Sequence, residues 1–312
     1  MRALVTGGAG FIGSHLAERL LEEGAEVRIL DTFATGRREN IHRVDVEVVE
    51  GDVRSYERAH HAMRGCDEVY HQAALPSVPR SIQDPLTTHE VNSTGTLNVL
   101  LAARDADVRR VVYASSSSVY GANEALPKRE DQQPAPFSPY AVSKLAGEGF
   151  CRTFTHVYGL ECVSLRYFNV FGPRQDPRSQ YAAVIPNFIS AALGRRRPVV
   201  YGDGEQTRDF TYIDNVVEAN LLAMCSDAGG GQAFNVACGQ AITLNAVLDA
   251  LREISGETIE PDYQPGRPGE VRHSQAAIDG ARDAFGYSPA VSFTEGLRRA
   301  FDAAAARAEA PA

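Results

Sequence analysis

Thr6-Gly7-Gly8-Ala9-Gly10-Phe11-Ile12-Gly13, close to the amino end of the chain, is the stretch that decides the fold. A β-rich run, Ala3–Thr6, leads into it, and an amphipathic helical pattern, Ser14–Glu23, leaves it before Gly24. The glycine spacing is GxxGxxG. Glycines at such a strand-to-helix turn let the chain reverse tightly, bring a diphosphate against the backbone and pack helix on strand. The helix start then aims its free N–H groups at the phosphates. Asp31 closes the next strand pattern, Val27–Leu30, where a carboxylate would take the hydroxyls of an adenosine ribose and disfavour a 2′-phosphate. The expected cofactor is therefore NAD. Gly51-Asp52-Val53 follows the third strand pattern, Val46–Val49. Asp52 reads equally as an acceptor for the adenine amino group and as an ordinary turn or helix cap.

Outward from this turn, strands and helices alternate. Further strands fit Glu68–His71, Val111–Ala114 and Cys162–Tyr167, and helices fit Thr94–Asp105 and about Ser138–Tyr158. That rhythm predicts a doubly wound parallel sheet of Rossmann type with helices on both faces. Past Phe168 the rhythm gives way to Arg-, Pro- and Gly-rich loops with helices at Asn187–Leu193, Asn215–Met224 and Leu244–Ile254. A smaller mixed α/β substrate domain is the expectation there. The division expected is 1–168 with parts of about 209–240 for the dinucleotide, about 169–208 and 241–300 for the substrate, and a frayed Ala-rich tail over 301–312.

Composition bounds the partners. With 312 residues, 44% hydrophobic, the chain can build a sizeable core, and a net charge of −9 argues against a general nucleic-acid binder. The five cysteines, Cys66, Cys151, Cys162, Cys225 and Cys238, show no CxxC or metal-type spacing. They read as small apolar fillers in a reducing compartment. No apolar run reaches membrane-spanning length, and no signal-peptide layout opens the chain, so a cytoplasmic location is expected.

Tyr140-Ala-Val-Ser-Lys144 places a phenol and an ammonium on one face of a helix start. A phenol, with its usual pKa of about 10, is a poor base at neutral pH. A lysine cation and a positively charged nicotinamide would both lower that value. YxxxK alone also fits a surface helix with one aromatic anchor. The segment Tyr113-Ala-Ser-Ser-Ser-Ser-Val-Tyr120 shifts the balance, because it sets four serines at the carboxyl end of a central strand, where doubly wound sheets bind ligands.

On these motifs the chain resembles the extended short-chain dehydrogenase/reductase family, and within it the UDP-hexose 4-epimerases, most closely bacterial UDP-N-acetylglucosamine 4-epimerases. Ser77–Asn92, Arg166–Pro177, Tyr181–Phe188, Gly202–Asn215 and Arg267–Ala276 carry the likeness, which spans Arg2 to about Phe301. The resemblance implies Ser116, Tyr140 and Lys144 as the catalytic set. It implies a dinucleotide site at Gly7, Gly10, Phe11, Ile12, Gly13, Asp31, Thr35, Gly36, Asp52, Val53, Gln72, Ala73, Ala74, Asn92, Tyr140, Lys144 and Phe168. It also implies a UDP-sugar site at Ser77, Val78, Ser116, Ser117, Asn169, Ala183, Val184, Tyr201, Arg208, Arg267, Glu270 and Ser274. The residue types suit that role: arginines neutralise a diphosphate, an aromatic stacks on uracil, and a carboxylate takes a ribose diol. Arg208 and Arg267 read alternatively as surface ion pairs, and Tyr201 as core packing. The implied activity is inversion at C4 of a UDP-hexose, with NAD tightly held and regenerated each turnover, in a homodimer formed through two helices per subunit.

Related dehydratases carry Asp-Glu where this chain has Ser117-Ser118, and decarboxylases carry Glu at position 118. Serine supplies no carboxyl for those steps. Beside these, a UDP-uronic acid 4-epimerase of the same family, a reductase releasing its cofactor and a non-catalytic NAD-binding sensor are further alternatives; the last typically lacks the Tyr or the Lys, and this chain has both. Thr32-Phe33 departs from the family, which often has a polar residue followed by leucine there.

Overall fold

A computed structural model describes residues 1–176, 183–266 and 271–309. Seven parallel strands form the central sheet: β1 (Arg2–Thr6), β2 (Glu26–Asp31), β3 (Glu47–Glu50), β4 (Glu68–His71), β5 (Arg110–Ser116), β6 (Glu161–Tyr167) and a late strand, Ala233–Val236. Their spatial order is 3-2-1-4-5-6 with the late strand beyond β6. Thr6 aligns with Leu30 on one side and His71 on the other, so the order reverses at β1. Ligands of doubly wound sheets bind in the crevice outside the carboxyl ends at such a reversal.

Alternation along β1 explains the layers. Leu4 points into a core that also holds Ala59, Ala62, Val99, Val111 and Cys151. Ala3 and Val5 point into the other, with Leu16, Leu20, Val216 and Val217. The helices covering the first face are α1's counterparts α2 (Tyr56–Met63), α5 (Gly95–Asp105) and α6 (Pro139–Tyr158); α1 itself (Phe11–Glu22) and α8 (Ile213–Cys225) cover the second. Two short helices, α3 (Val78–Gln83) and α4 (Pro85–His89), precede α5, and a π-helical turn, Glu90–Thr94, joins α4 to it. The doubly wound expectation is met. Helix α2 and the seventh strand escaped the sequence reading because only Ala59, Ala62 and Met63 of α2 are buried and the strand is four residues long.

The smaller lobe packs α7 (Val184–Leu193), α9 (Leu244–Ser255) and α11 (Phe293–Glu309) together. Three two-stranded ribbons join it: β7 (Val170–Phe171) with β10 (Thr211–Tyr212), β8 (Val199–Tyr201) with β13 (Asp262–Gln264), and β9 (Thr207–Arg208) with β12 (Ile242–Thr243), the late sheet strand being β11. A last short helix, α10 (Asp279–Phe285), packs on β11. Helix α11 continues through residue 309, beyond the position 301 where fraying was expected. The five cysteines are free; Cys66, Cys151 and Cys162 are buried fillers as expected, Cys238 is half-buried, and Cys225 is exposed.

Candidate active site

The glycine turn is built by contacts that a side chain would destroy. Gly7 has φ 67°, and a Cβ there would lie 2.8 Å from the backbone of Ala73; at Gly13 it would lie 2.3 Å from the Gly7 carbonyl oxygen. Helix α1 is capped by Gly10 without a side-chain hydrogen bond, so the N–H groups of Phe11, Ile12 and Gly13 face out of the helix start with no carbonyl behind them in the helix. Asp31 is buried at the end of β2, and its carboxylate accepts from the Ala9 N–H at 2.9 Å and the Phe33 N–H at 2.8 Å. Each oxygen keeps a lone pair for a ribose hydroxyl. A Cβ on Gly36 would sit 2.9 Å from both carboxylate oxygens, and Thr35 is exposed just before it. This cradle fits an NAD diphosphate and adenosine ribose.

Asp52 is engaged otherwise. Its oxygens accept from the Arg54 N–H at 2.8 Å and from the Arg54 guanidinium at 2.7 and 3.0 Å. The guanidinium holds its carboxyl below the usual range. These contacts close a turn over Asp52–Ser55. Val53 is buried, and Asn98 donates to its carbonyl at 3.1 Å.

The sheet's carboxyl edge gathers the reaction centre. Ser116 ends β5, and its Oγ accepts from the Ser118 N–H at 3.2 Å. Ser138 caps α6 by accepting from the Ala141 N–H at 3.1 Å, with Pro139 opening the first turn. That start places the Tyr140 phenol beside Ser116. Lys144, one turn on, is 3% exposed, donates to the Ala114 carbonyl at 2.7 Å and lies 6.0 Å from the Tyr140 ring centroid. The structure thus sets Ser116, Tyr140 and Lys144 close together at this edge.

Their electrostatics differ from the expectation. Burial raises the Tyr140 phenol above its usual value, while the Ser116 hydrogen bond pulls the other way. Burial also pushes Lys144 down to about 7, which weakens its cation. The chain's own groups therefore do not lower the phenol as the YxxxK reading anticipated. A cationic nicotinamide ring supplies the further lowering when bound.

Asn92 lies in the π-helical turn, a feature common at functional sites. Its amide accepts from the Leu75 N–H at 2.8 Å and donates to the Leu75 carbonyl and to Ser143 Oγ, each at 3.1 Å. It so ties the loop after β4 to the residue beside Lys144. Gln72 turns inward and donates to Tyr167 at 3.1 Å and Asn220 at 3.0 Å. Ala73 donates to Thr6 Oγ1 at 3.2 Å, and Ala74 follows it on the same loop. Phe168 is fully buried against Tyr120.

On the sugar side, Ser77 takes φ 97° and caps α3 ahead of the exposed Val78. Asn169, at φ 32°, donates to the Asp209 carbonyl at 3.1 Å. Ala183 caps α7, Val184 begins it, and Tyr201 ends β8. Arg208 donates to the carbonyls of Thr207 at 2.8 Å and Arg272 at 3.1 Å. Ser274 is half-buried and bonds through its N–H to the Thr207 carbonyl at 3.2 Å, which places it beside Arg208. Ser117 is half-buried at the end of β5. Arg267 and Glu270 lie outside the described residues.

A buried polar chain under the centre was missed. Glu148 pairs with Arg166 through bonds of 2.9 and 2.8 Å and accepts from Ser115 Oγ at 2.5 Å. Arg166 donates to Tyr120 Oη at 2.9 Å, which donates to Asn235 Oδ1 at 2.7 Å. The available signal was Glu148 at four and eight residues after Lys144 and Tyr140, an acid on the core face of the same helix. Asp209 was also overlooked: burial pushes its carboxyl up to about 6, and it clamps the N–H groups of Cys238 and Ala276 at 2.9 and 3.0 Å.

The model of the NAD dependent epimerase/dehydratase family matches residues 3–237. A UDP-glucose 4-epimerase of Mycolicibacterium smegmatis is 40% identical over 305 residues, 96% of this chain and 97% of that one. A Methanobrevibacter ruminantium UDP-N-acetylglucosamine 4-epimerase solved with UDP-N-acetylmuramic acid superimposes with TM-score 0.94 at 38% identity, covering 98% of each chain. A Thermus thermophilus UDP-glucose 4-epimerase solved with NAD gives 0.90 at 40% identity, covering 99% of this chain and 100% of that one.

Proposed function

Because this chain belongs to the NAD dependent epimerase/dehydratase family, we propose that it is an NAD-dependent 4-epimerase acting on a UDP-hexose. The observation that carries the reading is buried Lys144 one helical turn from Tyr140, its ammonium 6.0 Å from that ring, at the carboxyl edge of the sheet that also holds the Asp31 cradle. When bound, NAD supplies the hydride acceptor and donor. Tyr140 takes the proton from the sugar O4 and later returns it, Ser116 bridges that oxygen to the phenol, and Lys144 holds the nicotinamide ribose. The UDP end, gripped by Arg208 and its neighbours, lets the sugar turn over between the two transfers. Ser117 and Ser118 provide no carboxyl, which favours this chemistry over elimination or decarboxylation.

Incubating the protein with UDP-galactose and no added dinucleotide is expected to yield UDP-glucose. Turnover that strictly required added cofactor would instead match a reductase.

Several finer points belong to the same proposal. Residues 1–168 with parts of 209–240 hold the dinucleotide, and 169–208 with 241–300 hold the nucleotide sugar, with Arg267 and Glu270 completing the UDP set. A homodimer through α5 and α6 is supported by exposed Val142, Gly149, Thr153 and Val157 along one stripe of α6. Cytoplasmic residence accords with five free cysteines. Among the described residues no helix is long and apolar enough to cross a membrane.

Ser274 sets the room near the sugar's C2 group, so UDP-glucose, UDP-galactose and their N-acetyl forms all fit. Ser274→Tyr adds a ring beside Arg208, and a clash of that kind lowers activity roughly 10- to 100-fold. Rates on UDP-N-acetylglucosamine are expected to fall far more than rates on UDP-galactose. Equal losses on both would remove Ser274 from the specificity argument.

A further inference from the structure

Two arginines, Arg37 and Arg38, follow the dinucleotide cradle directly, an arrangement that on its own would invite a phosphate. A Cβ on Gly36 would meet the Asp31 carboxylate, and the Arg37 N–H bonds the Ala9 carbonyl at 2.9 Å, while Ala9 itself donates to Asp31. Arg37 therefore starts from a backbone position one residue away from the acid that takes the ribose. The Arg38 guanidinium lies 4.0 Å over the ring of Phe33, two residues after Asp31. An arginine so placed accommodates the 2′-phosphate of NADP through paired charge-assisted hydrogen bonds. Asp31 alone would then compete with two cations for control of cofactor choice.

Both cations are already held. Arg37 is paired with Asp176, which arrives on the loop after β7 from the smaller lobe. Arg38 is paired with Glu50 at the end of β3, at 2.6 Å. The two pairs differ in weight. Arg37 and Asp176 are each 32% exposed, whereas Arg38 and Glu50 are 66% and 64% exposed and more strongly screened. The same loop is fastened a second time, because Arg174 pairs with Glu18 of α1 at 2.5 Å. That second tie holds the loop carrying Asp176 against α1.

We propose that Asp176 is a specificity-determining residue for the dinucleotide: by occupying Arg37 it denies a 2′-phosphate its counter-charge, so that NAD is selected and NADP rejected. Glu50 does the same for Arg38, with less effect. Selection thus rests on an acid that repels and on two further acids that withhold the attraction. The inference rests on the NAD reading of the preceding subsection and adds residues outside the glycine turn and Asp31.

The test exchanges the dinucleotide retained by the purified protein against an equimolar excess of NAD and NADP, then measures the bound ratio after release. Asp176→Asn is expected to raise the bound NADP-to-NAD ratio about tenfold, the scale of one charge-assisted contact. Adding Arg37→Ala to that variant should return the ratio to the wild-type value. Glu50→Gln should move it in the same direction by less. An Asp176→Asn ratio unchanged from wild type overturns the proposal, as does a rise that persists after Arg37→Ala. Wild-type protein that binds neither dinucleotide would contradict the cofactor reading itself.

Discussion

Tyr140→Phe is expected to lower turnover by roughly 10²–10⁴-fold while leaving UDP-sugar affinity nearly unchanged, because general acid–base catalysis by a positioned group contributes on that scale. The substitution keeps the ring and removes only the phenol. Ser116, beside that phenol, has no comparable basicity, and Lys144 is tied to the Ala114 carbonyl at 2.7 Å. No other described side chain in this constellation can take the O4 proton. Steady-state rates on UDP-galactose with binding measured by titration calorimetry separate the two quantities. A variant that kept more than about a tenth of the rate would show that the proton leaves by another route.

Glu148→Ala should produce the largest loss of stability. Glu148 and Arg166 are 5% and 4% exposed at their side chains and joined at 2.8 Å. Removing one partner of a buried pair leaves an uncompensated charge, at a cost of about 3–5 kcal/mol. Here Arg166 would retain only the Tyr120 hydroxyl, and Ser115 would lose its acceptor one residue before Ser116. Chemical denaturation should show the drop in midpoint. Adding Arg166→Met should recover part of it, since the stranded charge is then gone. A double variant as unstable as the sum of the singles would mean that the residues act separately.

The glycine turn, Asp31 and YxxxK were legible because each acts through its immediate neighbours in sequence. Gly7 and Gly13 answer to backbone contacts within the turn and at Ala73, and Tyr140 and Lys144 share a helix face. The Glu148–Arg166–Tyr120–Asn235 chain was not legible, since its members come from α6, β6, the turn after β5 and β11. The Tyr140 phenol was misjudged for a related reason: charge spacing is visible in a sequence, whereas desolvation depends on the whole packed surround.

The central claim is that hydride leaves and returns at the same carbon within one active site. UDP-galactose carrying deuterium at C4 tests it most directly, with the UDP-glucose product examined by mass spectrometry and NMR. The account predicts that the deuterium is retained and remains at C4, with none lost to water. Deuterium washed out into solvent, or found at another carbon, would contradict it.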